Sequence, residues 1–285
     1  MKVITVGEIG LNHDGSLPRA KRMIALCKTA GVDYVKFQTR DIEKSYTKEY
    51  LDSPRESQWG KTVRDEKRGL EFTRADYQEL DNFCREQGIR WFSSPRDVYS
   101  AKMLLENWDL PWIKVASGMI PDRELMRVFA ASGKPLILST GMAYMGEIDW
   151  AIRFIEDNGN NLEYIMHAVS IYPCPADKIN MRRISTLQRL YGDRYKIGYS
   201  NHSVRIVYCV QAAAMGCQMI EFHVSEDRAL PGTDQKSSIG PEGVSRIVKH
   251  IRSMEEAWGT DKIIPYKEEL DKGKNYQWRQ GGNQG

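Results

Sequence analysis

Cysteine is scarce in this chain and never patterned. The 285 residues hold five cysteines, an odd number, and no two stand in a Cys-x-x-Cys pair. That excludes a disulfide framework and a cysteine zinc cluster, and reduced thiols in the cytoplasm are expected. Long apolar runs are missing: none approaches the roughly 18 residues that a membrane span needs. No charged-then-apolar leader opens the chain, so no secretory signal is expected. Neither sign of charge dominates, the net being +3. No Lys/Arg-rich run interleaved with aromatics occurs, so nucleic acid is not an expected partner. A Gly-rich dinucleotide turn is lacking. Histidine is also rare, with five copies, so where each one falls carries information.

What is present is a regular strand–helix rhythm. Short apolar runs at 3–9, 33–39, 89–95, 111–117, 135–141, 162–169, 196–200 and 219–224 read as strands. Apolar positions at the helical period fill 17–30, 74–87, 98–106, 122–131, 148–157, 181–190, 203–216 and 244–258. Runs of this kind are expected where both faces of a parallel sheet are covered. Eight such units predict an α/β fold, a (β/α)8 TIM barrel forming one domain over 1–260. Residues 40–72 break the rhythm with no sustained period, and predict a long insertion after strand two, a lid or a partner-binding arm. A polar tail covers 261–285.

In such a barrel the active site lies at the C-terminal ends of the strands. Those ends read Glu8, Lys36, Ser93 and Ser94, Lys114 and Ser117, Ser139 and Thr140, then His167, Ser170 and Tyr172. The last two strands end in His202 and His223, with Ser200, Glu221 and Asp234 close in sequence. Adjacent parallel strands would bring the two imidazoles over one point, a metal site with positions left for water or substrate. Lys36 and Lys114 each sit between apolar neighbours. Two lysines buried at one mouth repel unless something anionic neutralises them. The answers are a Schiff-base lysine or an anion site, and the serines favour the anion.

The ordered segments EIGLNHDGS, AGVDYVKFQT, PWIKVASG, PLILSTGM, IYPCP, GYSNHS and EFHVSEDRALPGTD resemble the N-acetylneuraminate (sialic acid) synthase family. The resemblance implies condensation of phosphoenolpyruvate with an aldose such as N-acetylmannosamine, giving a nonulosonic keto sugar acid and phosphate. It implies a divalent metal on His202 and His223, manganese first, with magnesium or cobalt as alternatives. Lys36, Ser94, Lys114, Ser117, Ser139, Tyr172 and Ser200 match positions that hold phosphoenolpyruvate. Glu8 matches a carboxylate beside the metal-bound water, and Asp234 an acid facing the sugar.

The chain departs from the family pattern at three points. Met119 stands where the family has a catalytic-site glutamate. Ser170 stands where an asparagine is common, and is kept among the substrate-binding candidates. The segment for the family's C-terminal antifreeze-like domain does not follow the barrel. The expectation is therefore an intact phosphoenolpyruvate half and an acceptor other than N-acetylmannosamine, with Met119 bordering the site. A homodimer of barrels is the candidate assembly. The competing readings are a metal-dependent keto-acid aldolase or lyase, and a catalytically impaired binding homologue.

Overall fold

The computed structural model describes residues 2–230 and 232–276. It divides into two units, Met1–Glu255 and Glu256–Gly285. The second contains the helix Lys267–Gly273. The first is built on ten strands: β1 (Ile4–Gly10), β2 (Tyr34–Thr39), β3 (Pro54–Ser57), β4 (Gly60–Thr62), β5 (Arg90–Pro95), β6 (Ile113–Val115), β7 (Leu136–Ser139), β8 (Leu162–Ala168), β9 (Lys196–Asn201) and β10 (Met219–His223). Eight close a parallel barrel in the order β1-β10-β9-β8-β7-β6-β5-β2. A helix follows each of these eight, and the predicted TIM barrel is the fold observed.

The strands alternate between two cores. Outward residues such as Val35, Phe37, Ile113, Leu138, Ile165 and Ile220 pack against the helices. Inward residues Val6, Phe92, Trp112, Ile137, Tyr164, Met166 and Met219 fill the barrel as a separate apolar cluster. Side chains in a strand repeat every two residues. The next inward position on each strand therefore stands one layer nearer the C-terminal mouth. There the composition changes from apolar to charged and hydroxylated: Glu8, Ser94, Lys114, Ser139 and Glu221, all buried.

The insertion is more ordered than its sequence suggests. It contains two short helices, Ile42–Ser45 and Lys48–Leu51, then the antiparallel β3–β4 hairpin, then a helix Val63–Leu70. That helix starts on a capping box, Thr62 with Asp65, and buries Val63, Lys67 and Leu70. Ile42, Leu51 and Val63 form its own small core. Elements this short show no period in a sequence window. The end of the insertion lies against the β1 loop. Gly15 has φ +67°, and a Cβ there would fall 1.9 Å from the Gly69 carbonyl oxygen. His13 stacks on Phe72 with centroids 3.9 Å apart. No helix among the described residues is long and apolar enough to cross a membrane.

Candidate active site

The mouth of the barrel encloses a cavity of about 220 Å³. Its floor is a chain of four buried charges. Lys36 Nζ lies 2.7 Å from Glu8 Oε2 and 3.8 Å from Glu221 Oε1. Lys114 Nζ lies 2.6 Å from the same Glu221 oxygen, which also accepts from Ser200 Oγ at 2.9 Å. Burial pushes the Glu221 carboxyl up, but Lys114 and Lys36 outweigh it and hold it below the ordinary carboxylate range. Burial draws the Lys114 ammonium down from its ordinary value, and Glu221 opposes that shift. Register explains the assembly: Glu8 stands opposite Lys36 on one side and His223 on the other, and Glu221 opposite Ser200.

A second layer fixes the first. Gln38 Nε2 donates to Glu8 Oε1 at 2.9 Å. The Gln38 carboxamide oxygen accepts from Arg40 Nη2 and Arg96 Nη2, each at 3.0 Å. Two cationic donors on the oxygen leave the amide nitrogen facing Glu8. Arg40 is paired in turn with Glu71 at 2.7 Å, at the far end of the insertion.

At the adjoining ends of β9 and β10, His202 and His223 approach with ring centroids 5.5 Å apart. His202 Nδ1 lies 2.6 Å from the Val169 carbonyl oxygen, so that nitrogen carries the proton. Its Nε2 is left as a lone pair, 3.1 Å from Tyr172 Oη. Burial, then the neighbouring His223, draws the imidazole down to about 3, which keeps it neutral. His223 Nδ1 is buried without a hydrogen-bond partner, 3.6 Å from Asp234 Oδ2. Among the described residues no group of three His, Cys, Asp or Glu side chains converges on one point. Two imidazole nitrogen donors, one already oriented by a carbonyl, fit a divalent cation whose other positions go to water or substrate. They do not make a closed structural site.

The profile of the NeuB family matches residues 23–263. The chain belongs to the NeuB family. Human N-acetylneuraminate-9-phosphate synthase is 33% identical over 264 residues, 91% of this chain and 73% of that protein. The N,N'-diacetyllegionaminic acid synthase of Campylobacter jejuni is 30% identical over 265 residues, 90% of this chain and 78% of that protein. The solved N-acetylneuraminic acid (sialic acid) synthetase of Leptospira borgpetersenii, in complex with citrate, superposes with a TM-score of 0.84 at 28% identity, covering 99% of this chain and 92% of that one. This NeuB chain is thus an enzyme, of a family of synthases that condense phosphoenolpyruvate with sugars.

Of the substrate-binding, metal-binding and catalytic candidates of this NeuB chain, Glu8, Lys36, Ser94, Lys114, Ser117, Ser139, Ser170, Tyr172, Ser200, His202 and His223 line the cavity, and Asp234 does not. Asp234 stands behind His223. The strand-end reading also put Ser93, Thr140 and His167 in the ring, and none of the three lines the cavity; Thr140 Oγ1 donates to the Met166 carbonyl. Ser93 Oγ bonds Thr39 Oγ1 and the Phe37 carbonyl. His167 Nε2 lies 2.8 Å from the Ile179 carbonyl, its ring stacked on Tyr199. Met119 does not border the cavity as expected; the lining there is Ser117 and Gly118. The expected neutraliser of the two lysines was an external anion, whereas Glu8 and Glu221 already pair them. Gln38 and Arg96 line the cavity and were missed. Parity was the available signal, since Gln38 lies two residues beyond Lys36, and Arg96 two beyond Ser94.

Proposed function

We propose that this NeuB synthase condenses phosphoenolpyruvate with an N-acyl aldose, or a close relative, to give a nonulosonic keto sugar acid and phosphate. The observation that carries this is the buried Glu8–Lys36–Glu221–Lys114 chain under a hydroxyl-lined cavity. The two ammoniums, with Ser94, Ser117, Ser139 and Ser200, supply directional donors for a carboxylate and a phosphate. The carboxylates between them hold the two lysine side chains in position before substrate arrives, so the cage needs no reorganisation.

The chemistry follows from that arrangement. The C3 carbon of phosphoenolpyruvate attacks the aldehyde carbon, forming the new carbon–carbon bond as the C2–C3 π bond breaks, and the aldehyde oxygen takes a proton from solvent. C2 becomes electron-poor, and water adds there. Glu8, aimed by Gln38 and Lys36, accepts the proton of that water. The hemiketal phosphate then breaks its C2–O bond, leaving the keto group and inorganic phosphate, whose departing charge Lys36 and Lys114 stabilise. Asp234 orients a sugar hydroxyl beside His223. A divalent cation held by His202 and His223, manganese by expectation, would supply Lewis acidity toward the aldehyde oxygen.

A Schiff-base aldolase fits less well, because a carboxylate engages each lysine nitrogen. The test is a panel of aldoses incubated with phosphoenolpyruvate and manganese, following phosphate release. Release that depends on both an aldose and the metal supports the proposal; keto-acid cleavage without phosphoenolpyruvate would replace it with the aldolase reading.

A further inference from the structure

The insertion after β2 is tied to the site by one acid. Glu71 caps the C-terminal end of the helix Val63–Leu70 and stands between Leu70 and Phe72, both buried. Its Oε1 lies 2.7 Å from Arg40 Nε, a contact of opposite charges outside hydrogen-bond alignment. Its Oε2 accepts from the Arg40 backbone N–H at 3.3 Å. Arg40 Nη1 donates to Tyr46 Oη, also in the insertion, at 3.0 Å. Arg40 Nη2 donates to the Gln38 carboxamide oxygen at 3.0 Å, and Gln38 Nε2 to Glu8 at 2.9 Å. Contacts thus run without a break from Glu71 through Arg40 and Gln38 to Glu8. Neither Glu71 nor Arg40 lines the cavity.

The series has a direction. Arg40 is held from the insertion side by Glu71 and Tyr46. Arg96 also donates to the Gln38 oxygen, and among the described residues its side chain has no other hydrogen bond. Arg96 therefore takes its place from Gln38, whereas Arg40 gives Gln38 its place. The two guanidiniums repel each other, and Glu71 offsets that for Arg40. Burial pushes the Glu71 carboxyl up to about 7, with Arg40 opposing the shift, so Glu71 is fully ionised only above neutral pH. Without its charge, two cations on one carboxamide oxygen would separate and free the amide to rotate. A carboxamide presents an acceptor on one side and a donor on the other. Its oxygen turned toward Glu8 would repel the carboxylate that its nitrogen holds. We propose that Glu71 is a positioning residue, which acts through Arg40 and Gln38 to fix the Glu8 carboxylate. This rests on reading Glu8 as the proton acceptor of the condensation.

A mutant cycle on the full chain tests it, assayed at about pH 8.5, where Glu71 is charged. Glu71→Gln should lower kcat about tenfold, the value of one charge-assisted contact. KM for phosphoenolpyruvate should be little changed. Tyr46→Phe, which loosens Arg40 and leaves the ion pair, should lower kcat about two- to fivefold. In a Gln38→Leu background the series is already cut, so neither substitution should cost further kcat. Equal losses in both backgrounds overturn the proposal, since a merely structural role gives that result. So does a change confined to KM. Where Glu71→Gln does not fold by circular dichroism, Tyr46→Phe carries the cycle. Crystal structures of wild type and of Glu71→Gln, or Tyr46→Phe in its place, read the linkage without any reaction. The Gln38–Glu8 hydrogen bond should be present in wild type and lost or lengthened in the variant. An unchanged bond overturns the proposal. If wild type does not turn over phosphoenolpyruvate, the reading of Glu8 fails, while the paired structures still decide whether Glu71 sets its position.

Discussion

Lys114 Nζ lies 2.6 Å from Glu221 Oε1 on the floor of the barrel mouth, and both side chains are buried. Breaking such a pair from one side leaves an uncompensated buried charge, which costs about 3–5 kcal/mol, whereas removing both partners costs much less. Glu221→Gln and Lys114→Met should each lower stability by that order in urea unfolding. The double variant should recover most of it and remain inactive. Additive losses in the double variant would mean that the two groups do not interact.

The same pair sets an acid limit. The Glu221 carboxyl is held below its ordinary value of 4.5 in the folded chain, because Lys114, Lys36 and Ser200 outweigh the effect of burial. A group whose folded value is depressed stabilises fully above its unfolded value and loses that contribution as pH falls through the folded one. Stability measured by urea midpoint should therefore hold steady from pH 8 to about 5 and then fall. Glu221→Gln should lack that component of the fall. A variant whose acid limb matches wild type would remove Glu221 from the account.

Gln38 is predicted to act through Glu8. Gln38→Leu removes the donor to Glu8 Oε1 and the acceptor shared by Arg40 and Arg96. The expected result is a fall in kcat of about ten- to a hundredfold, the value of one buried charge-assisted contact. The loss should fall on kcat, with KM for phosphoenolpyruvate little changed. A change in KM alone would make Gln38 a substrate-binding residue instead.

His202→Ala and His223→Ala are each expected to abolish manganese binding measured by calorimetry, without loss of fold. Each removes one of two nitrogen donors, and no third ligand converges to compensate among the described residues. Unchanged manganese affinity in either variant would dissociate the histidine pair from metal.

Much of this was legible before any coordinates. The eight barrel strands lie within two residues of their predicted positions at every end, since short runs buried on both faces stand out between helical periods. The strand-end rule also gathered Glu8, the two lysines, the serines and both mouth histidines. What failed was facing. His167 and Ser93 were placed in the ring by position along the strand, but each is one residue out of phase with an inward neighbour, Met166 and Ser94. What was hidden was pairing. That Glu221 meets Lys114 depends on packing between strands distant in sequence. Met119 was misplaced because a short 3-10 turn, Ser117–Met119, directs consecutive residues to different cavities.

The central claim is a condensation that releases phosphate by breaking the bond between C2 and its bridging oxygen. Phosphoenolpyruvate labelled with 18O at that oxygen tests it directly. Incubated with the chain, manganese and the best acceptor from the panel, it should transfer the label to inorganic phosphate, while the new keto oxygen comes from water. Label retained in the keto group of the product, or phosphate released equally without an acceptor, would contradict the account.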